Sequence, residues 1–478
     1  MRRLIALTAA AALAMCAEAT AQPAPAPPAA VAPWTTPSNE DVRRILAERI
    51  DAQHDGVGIV VGVIDAHGRR YVAYGARDKG DTGPLDETTM FEIGSMTKVF
   101  TSLVLSEMVA DHEVALDDPV AKFLPPGTRV PERGGRQITL VDLSTHTSGL
   151  PRMPNNFHPK DPTNPYADYS EDQFLAFLAS YTLPRDIGAQ YEYSNYGAGL
   201  LGQALARRAG LGYEELVKRR ITRPLGMADT TVTLSPQLQA RLARGHDAKL
   251  QPVANWDLPA FAGAGALRSD AKDMLTFLGA ELGYVKTPLA GPMQAQLAVR
   301  RPTPNPALTV SLAWHILAAP GRDAVIWHNG GTGGYRTFMG FDPKTRVGVV
   351  VLTNAATPRG GDDIGFHILT GAPLAPPNPP PVEHHAIAFD AKTFDALVGV
   401  YKLAPNATLT ISRQGDHGFA QVSGQPQAAE IFPEAEDNYF MTAAPAVLTF
   451  ERKPGEPASA VVLRLNGAIV SAQRIAAP

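Results

Sequence analysis

Residues 373–382 read PLAPPNPPPV, six prolines in ten positions. A proline lacks an amide donor and fixes its own φ, so neither a helix interior nor a central strand can run through this stretch. It is a semi-rigid spacer, and it separates two segments of different pattern. Upstream, helical and strand periodicities mix. Downstream, from about Asp395, short runs follow one another: LVGVY, TLTIS, GFAQV, AEIF, YFMT, VLTFE, AVVLRL and IVSAQR. Eight short strands with turn residues between them predict a small antiparallel barrel or sandwich. The 478 residues therefore divide into a large domain over 37–372, a linker over 373–385 and a β domain over 386–478. No internal repeat is visible, and the proline-rich spacers are the low-complexity tracts.

The N-terminus bears on the compartment. Arg2 and Arg3 precede an apolar run over residues 4–17, and Ala19-Thr20-Ala21 follows as a small-x-small site. This is the layout of a secretory signal peptide over residues 1–21, with a core too short to cross a bilayer. Leu13-Ala14-Met15-Cys16 is a weaker match to a lipid-attachment site, because Met15 is large where a small residue is expected. Cys16, the only cysteine, would leave with the leader, so the exported chain holds no disulfide and relies on packing. Residues 22–36 are a Pro/Ala-rich spacer, and the expected location is periplasmic or secreted. A net charge of −4 with 19% charged residues gives no basic surface for nucleic acid. No later segment is long and apolar enough to be a membrane helix.

Within the large domain, GIVVGVID (58–65) and RYVAYG (70–75) flank the turn residues Ala66-His67-Gly68 and predict a hairpin. Its first strand is apolar enough to be buried on both faces. VGVVVLTN (347–354) predicts a second buried strand near the domain's end. With helices between them, these strands point to one sheet closed by both ends of the domain. A helix starting near Ser95 carries Met96, Val99, Phe100, Leu103, Val104 and Met108 at helical spacing, which makes it a buried helix.

Three short stretches carry possible chemistry. In FEIGSMTKVFT, Ser95 and Lys98 lie three apart, on one face and about a turn from each other. A serine at a helix N-terminus has a dipole and a backbone N–H to stabilise an oxyanion, and a lysine at the start of an apolar helix is partly desolvated toward the neutral amine. The bland alternative is a capped helix with a snorkelling lysine. In YEYSNYG, Tyr193 and Asn195 flank Ser194 and would both face one cleft from a tight loop; for the tripeptide alone, a loop tyrosine and a turn asparagine are the favoured reading. In IWHNGGTGG, His328 precedes Gly330 and Gly331, which would let a substrate backbone lie along a strand edge with the Gly331 N–H free to donate. A glycine hairpin loop is the alternative there, and neither dinucleotide nor P-loop spacing matches.

Taken together and in this order, Ser-x-x-Lys, Tyr-x-Asn and His-x-Gly resemble the serine β-lactamase and penicillin-binding superfamily. The nearest branch is class C, which includes DD-peptidases, D-aminopeptidases and esterases. LSTHTSGLP (143–151), PLGM (224–227), GAGALRSDAKDM (263–274) and VVLTN (350–354) add to the resemblance, which spans roughly residues 40–370. It implies an α/β fold, with an antiparallel sheet flanked by helices and an all-helical subdomain. The tail resembles a small lipocalin-like barrel. By position, the resemblance implies Ser95 as acylated nucleophile, Lys98 and Tyr193 sharing its proton, Asn195 holding the substrate amide, and His328 and Gly330 binding substrate. The backbone N–H groups of Ser95 and Gly331 would form the oxyanion hole. No metal or cofactor is implied, and the substrate would be a β-lactam, a D-amino-acid peptide or an ester, with β-lactam hydrolysis foremost.

Two departures from the class C pattern stand out: Thr97 before the lysine, and His-Asn-Gly where Lys-Thr-Gly is usual. A lysine at 328 would restore a fixed charge and is expected to favour carboxylate-bearing β-lactams. Rival chemistries lack their motifs. No Gly-x-Ser-x-Gly elbow is present, so His146 reads as structural, and His384-His385 has no metal-ligand spacing around it. A non-hydrolytic penicillin sensor would use the same motifs but is normally joined to a membrane helix.

Overall fold

The computed structural model describes residues 34–318, 324–377, 384–404, 407–423, 428–442, 446–453, 455–465 and 468–476. The expected leader over 1–21, nearly all of the 22–36 spacer and the centre of the proline linker lie outside the described residues.

The central sheet of the large domain has eight antiparallel strands. From one edge the order is Gly68–Gly75, Gly58–Asp65, Val347–Thr353, Arg336–Asp342, Val325–Gly331, His315–Leu317, Leu308–Val310 and Arg301–Pro302. The N-terminal hairpin pairs with the last strand in the register Val61↔Val351 and Val63↔Val349, so both ends of the domain close the sheet as expected. Alternate side chains enter opposite cores, because successive residues of a strand point to opposite faces. Val60 and Ile64 join Val350 and Leu352 in one apolar cluster; Ile59, Val61 and Val63 join Val349 and Val351 in the other. Helices Ala271–Glu281 and Asp362–Thr370 contribute to these two clusters respectively. Covering both faces is why these antiparallel strands read as unbroken apolar runs instead of alternating ones.

Between hairpin and closing strands lies the helical part, built around Thr97–Ala110, which is buried nearly all round. Its residues Val99, Phe100, Leu103 and Val104 pack into the larger cluster, and the Phe100 and Phe277 rings lie 4.6 Å apart. A helix apolar on all sides is stable only inside a larger body, so the sheet and the surrounding helices hold it in place. Among the described residues, no helix is long and apolar enough to cross a membrane.

The C-terminal segment forms a closed eight-stranded barrel, Gly399–Ala404 through Ala468–Ala476. All eight strands coincide with the eight runs read from the sequence. The barrel closes where Tyr401 pairs with Arg474. Its strands alternate between buried and more exposed positions, as in Ala446–Glu451, and Tyr401, Leu409, Ile411, Leu448, Phe450 and Val461 fill the interior. Eight strands enclose a space that side chains can just fill.

Candidate active site

Ser95 belongs to the 3₁₀ turn Gly94–Met96, which runs directly into the helix Thr97–Ala110. From Thr89 to Ser106 every residue is buried except Ser95. Gly94 has φ +51°, a left-handed conformation that favours glycine, and a Cβ on it would lie 2.7 Å from the Gly331 amide nitrogen. Gly330 meets the same turn one residue earlier, where any Cβ would run into the Ile93 carbonyl oxygen. The Thr337 hydroxyl donates to that carbonyl at 3.0 Å. Backbone therefore lies directly on backbone, fixing the Ser95 turn to the strand Val325–Gly331. The lack of a side chain at Gly330 serves this contact, and it is Gly331, exposed at the strand's end, that faces the pocket. The Ser95 N–H has no acceptor among the described residues, which leaves it available to a substrate oxygen.

Lys98 is 1% exposed, and its Nζ donates to Ser95 Oγ at 2.9 Å and to the Ala264 carbonyl at 2.6 Å. Burial, reinforced by the positive charge of Arg152, holds its pKa well below the usual lysine value. A neutral amine keeps a lone pair, so Nζ can accept the Ser95 proton. The Tyr193 ring centre lies 4.9 Å from Nζ. Burial raises the Tyr193 phenol above its ordinary value, with a hydrogen bond to Ser95 acting in the opposite direction. The hydroxyl thus sits between an amine whose charged form is disfavoured and a protonated phenol, a pair able to take a proton and return one.

Asn195 is not in a loop. It opens the helix Asn195–Ala209, with Ser194 as N-cap: the Ser194 Oγ accepts the Gly197 N–H at 2.8 Å and donates to the Pro151 carbonyl at 2.6 Å. His146 fastens the same segment, its Nδ1 accepting the Ser194 N–H at 3.1 Å while its ring packs 4.5 Å from that of Tyr193. Pro151 and His146 lie in the LSTHTSGLP stretch, which therefore serves to seat the Tyr193–Asn195 segment. Sequence spacing alone did not reveal this.

His328 departs most from expectation. It is 0% exposed and packs against His315 (ring centres 5.0 Å, stacked) and Tyr193 (6.2 Å). Burial first, and repulsion from His315 and Lys98 second, keep its pKa far below the ordinary imidazole value. His315 is pushed down to about 4 for the same reason, and His146 is also lowered well below its usual value. Three neutral imidazoles therefore back the Lys98–Tyr193 pair. His328, like Lys98 and Tyr193, is not among the residues lining the pocket, and its ring packs beside those of Tyr193 and His315. A lysine there would bring an ammonium into a closed space beside Lys98, which opposes the gain on carboxylate-bearing β-lactams expected of a fixed charge at this position. Among the described residues, no three His, Cys, Asp or Glu side chains are placed to hold a metal ion.

The pocket above Ser95 encloses about 160 Å³. Asn195, Arg152, Tyr166, Trp256 and Thr332 line it together with Gly331. Tyr166 packs between Trp256 (ring centres 5.2 Å, tilted) and Phe261 (5.4 Å, edge-on), giving one aromatic wall. Buried Glu92 accepts the Trp256 N–H at 2.9 Å and holds that wall from behind. Neither the aromatic wall nor Arg152 was legible from the motifs.

Residues 42–371 match the family described as Beta-lactamase, and residues 383–472 match a domain of unknown function. The D-alanyl-D-alanine-carboxypeptidase/endopeptidase AmpH of Escherichia coli K12 is 32% identical over 336 residues, covering 68% of this chain and 86% of the relative. A β-lactamase of Lysobacter lactamgenus is 26% identical over 371 residues, covering 69% and 90%. The crystal structure of a β-lactamase/D-alanine carboxypeptidase from Yersinia pestis complexed with citrate is similar at a TM-score of 0.57 and 26% identity, covering 66% of this chain and 92% of that one.

Proposed function

The chain belongs to the Beta-lactamase family of serine hydrolases, and on that premise we propose that it cleaves a D-alanyl-type peptide amide through an acyl-enzyme on Ser95. The observation that carries this is the single position not fully buried in an otherwise buried run, Ser95, with a desolvated Lys98 amine 2.9 Å from its hydroxyl. Neutral Nζ takes the proton as Oγ attacks the carbonyl carbon. The Ser95 and Gly331 N–H groups receive the developing oxyanion. Tyr193 and Lys98 return the proton to the departing nitrogen, and Asn195 holds the amide on the retained acyl group. Water then attacks the ester with the same base, and the acid leaves. Gly330 supports the Gly331 donor from below. The expected leader over residues 1–21 supports action outside the cytoplasm.

Hydrolysis of β-lactams is the second reading. The Lysobacter relative, itself a β-lactamase, supports it; the higher identity to a carboxypeptidase/endopeptidase is the ground on which we put peptide cleavage first. A penicillin-binding sensor that is acylated without turnover would use the same residues. Steady-state kinetics on a D-alanyl peptide, a chromogenic cephalosporin and a nitrophenyl ester separate these possibilities, run beside Ser95→Ala and mass spectrometry of the trapped acyl-enzyme. The expected result is turnover of the peptide, an adduct on the peptide containing Ser95, and loss of all turnover in the variant. An adduct elsewhere, or an active Ser95→Ala protein, overturns the mechanism. Stoichiometric acylation without turnover of any of the three substrates assigns a sensor.

A further inference from the structure

Arg152 is the one charged side chain lining the Ser95 pocket among the described residues. It follows Pro151, and its carbonyl accepts the N–H groups of Asn195 (3.1 Å) and Tyr196 (3.3 Å). Its backbone is thereby fixed to the start of the helix that carries Asn195. Its side chain is not. The residue is exposed, its guanidinium lies 5.2 Å from the Tyr193 ring centre, and no carboxylate or carbonyl accepts from it among the described residues.

Other arginines nearby are committed. Arg268 donates to the carbonyls of Val232 and Trp256, and Arg336 to those of Thr332 and Tyr335. A guanidinium at a pocket wall with its donor fork unused is complementary to a carboxylate, which it can meet through two parallel hydrogen bonds. The three imidazoles near the site are buried and uncharged, so they offer no competing cation.

Position selects which end of the substrate carries the charge. Gly331 reaches the pocket from the side of Ser95 that packs against Gly94, whereas Arg152 sits beside Asn195, whose side chain contacts Met153 at 3.7 Å. Given the assignment of Asn195 to the substrate amide, the guanidinium lies next to the acyl group retained on Ser95, not next to the leaving group. We propose that Arg152 anchors an anionic group on the acyl portion of the substrate, so that the enzyme prefers peptides or esters whose acyl side chain ends in a carboxylate. The inference rests on the hydrolase assignment above, and its test is separable from that of the assignment.

The test uses two nitrophenyl esters with the same leaving group: mono-nitrophenyl glutarate, whose acyl chain ends in a carboxylate, and nitrophenyl butyrate, which is neutral. The readout is the ratio of their kcat/KM values, which cancels any effect of Arg152 on the Lys98–Tyr193 pair common to both. Wild type is expected to favour the glutarate ester. Arg152→Gln should reduce the ratio about ten- to a hundredfold, the range of one charge-assisted contact, mainly through KM. Arg152→Lys should retain an intermediate ratio, and raising ionic strength should lower the ratio in wild type but not in Arg152→Gln. An unchanged ratio in Arg152→Gln overturns the anchor while leaving the hydrolase intact. If neither ester is turned over and no probe labels Ser95 in wild type, the hydrolase assignment fails first.

Discussion

Among the described residues, every polar or charged residue that is buried as a whole lies at or before Thr357, whereas the barrel interior from Phe394 onward is aliphatic and aromatic. Even Tyr401, at 0% exposure, turns its hydroxyl to the Leu397 carbonyl at 2.6 Å. The two regions bury their residues under different constraints. A closed barrel pairs every strand edge with its own chain, so alternating side chains are enough to specify it. The hydrolase domain holds Lys98, His146, His315 and His328 in its interior, where burial disfavours the charged form of each. Keeping ionisable groups out of water opposes folding, and covering both faces of the sheet with helices offsets that penalty. What the contrast teaches is where substitutions will be felt as chemistry and where only as packing.

The largest break in this contrast is expected at Lys98. Replacing it with methionine keeps much of the side-chain volume and removes the base. kcat should fall by about 10²–10⁴, the usual contribution of a positioned proton acceptor, while the thermal transition stays close to that of wild type. Turnover within threefold of wild type in Lys98→Met would move the base elsewhere.

Next in size is His328→Lys. Inserting an ammonium into a site with 0% exposure beside Lys98 should destabilise the large domain by about 3–4 kcal/mol at neutral pH, since the group must either stay charged in a dry space or give up its proton. Denaturant unfolding measures this. A variant as stable as wild type, with improved cephalosporin hydrolysis, would show that the pocket opens to residue 328 after all.

The pH profile sharpens the same point. A Lys98 amine of ordinary pKa would make kcat/KM rise tenfold per pH unit up to about pH 10. Burial lowers that pKa well below the usual value, so the neutral form is present over a wider range and the rise must level off at lower pH. Activity still climbing at pH 10 would contradict the desolvated-amine geometry. The smallest effect is expected from the barrel. Truncation after Gly371, which removes linker and barrel together, should leave a folded protein that is still acylated at Ser95, with kcat on a small ester changed only severalfold. A truncated protein that folds but reacts with no probe would tie the barrel to the chemistry.

The elements legible in the sequence are those fixed by local periodicity. The unbroken runs at 58–65 and 347–354 announced strands covered on both faces, and the eight alternating runs after Asp395 became the eight barrel strands. Ser95 and Lys98 were legible because one helical turn brings them together. What was hidden depends on contacts between distant segments. His315 and His328 meet because Trp327 pairs with His315 across two strands, and no spacing within one stretch encodes that. Arg152 reads as an ordinary loop arginine until its carbonyl is seen bound to the Asn195 helix. The sequence also placed Gly330 on the substrate side, because a glycine's missing side chain does not say which neighbour will occupy the space.

The contact of Gly94 and Gly330 with opposing backbone has a mechanical consequence. Between the Ser95 amide and the Gly331 amide there is no intervening side chain, so rotamer changes cannot alter their separation. Their alignment depends on stiff covalent geometry and one close backbone contact. A thermal tilt of the strand carries the turn with it, and the two donors move as one rigid piece. The aromatic wall is fastened through side chains instead, with the Tyr166 ring against the Trp256 ring at 5.2 Å and the Glu92 carboxylate on the Trp256 N–H. On warming, substrate grip should therefore loosen before the acyl-transfer geometry does, with KM rising at temperatures where kcat still follows a simple exponential, up to the point at which the sheet itself gives way.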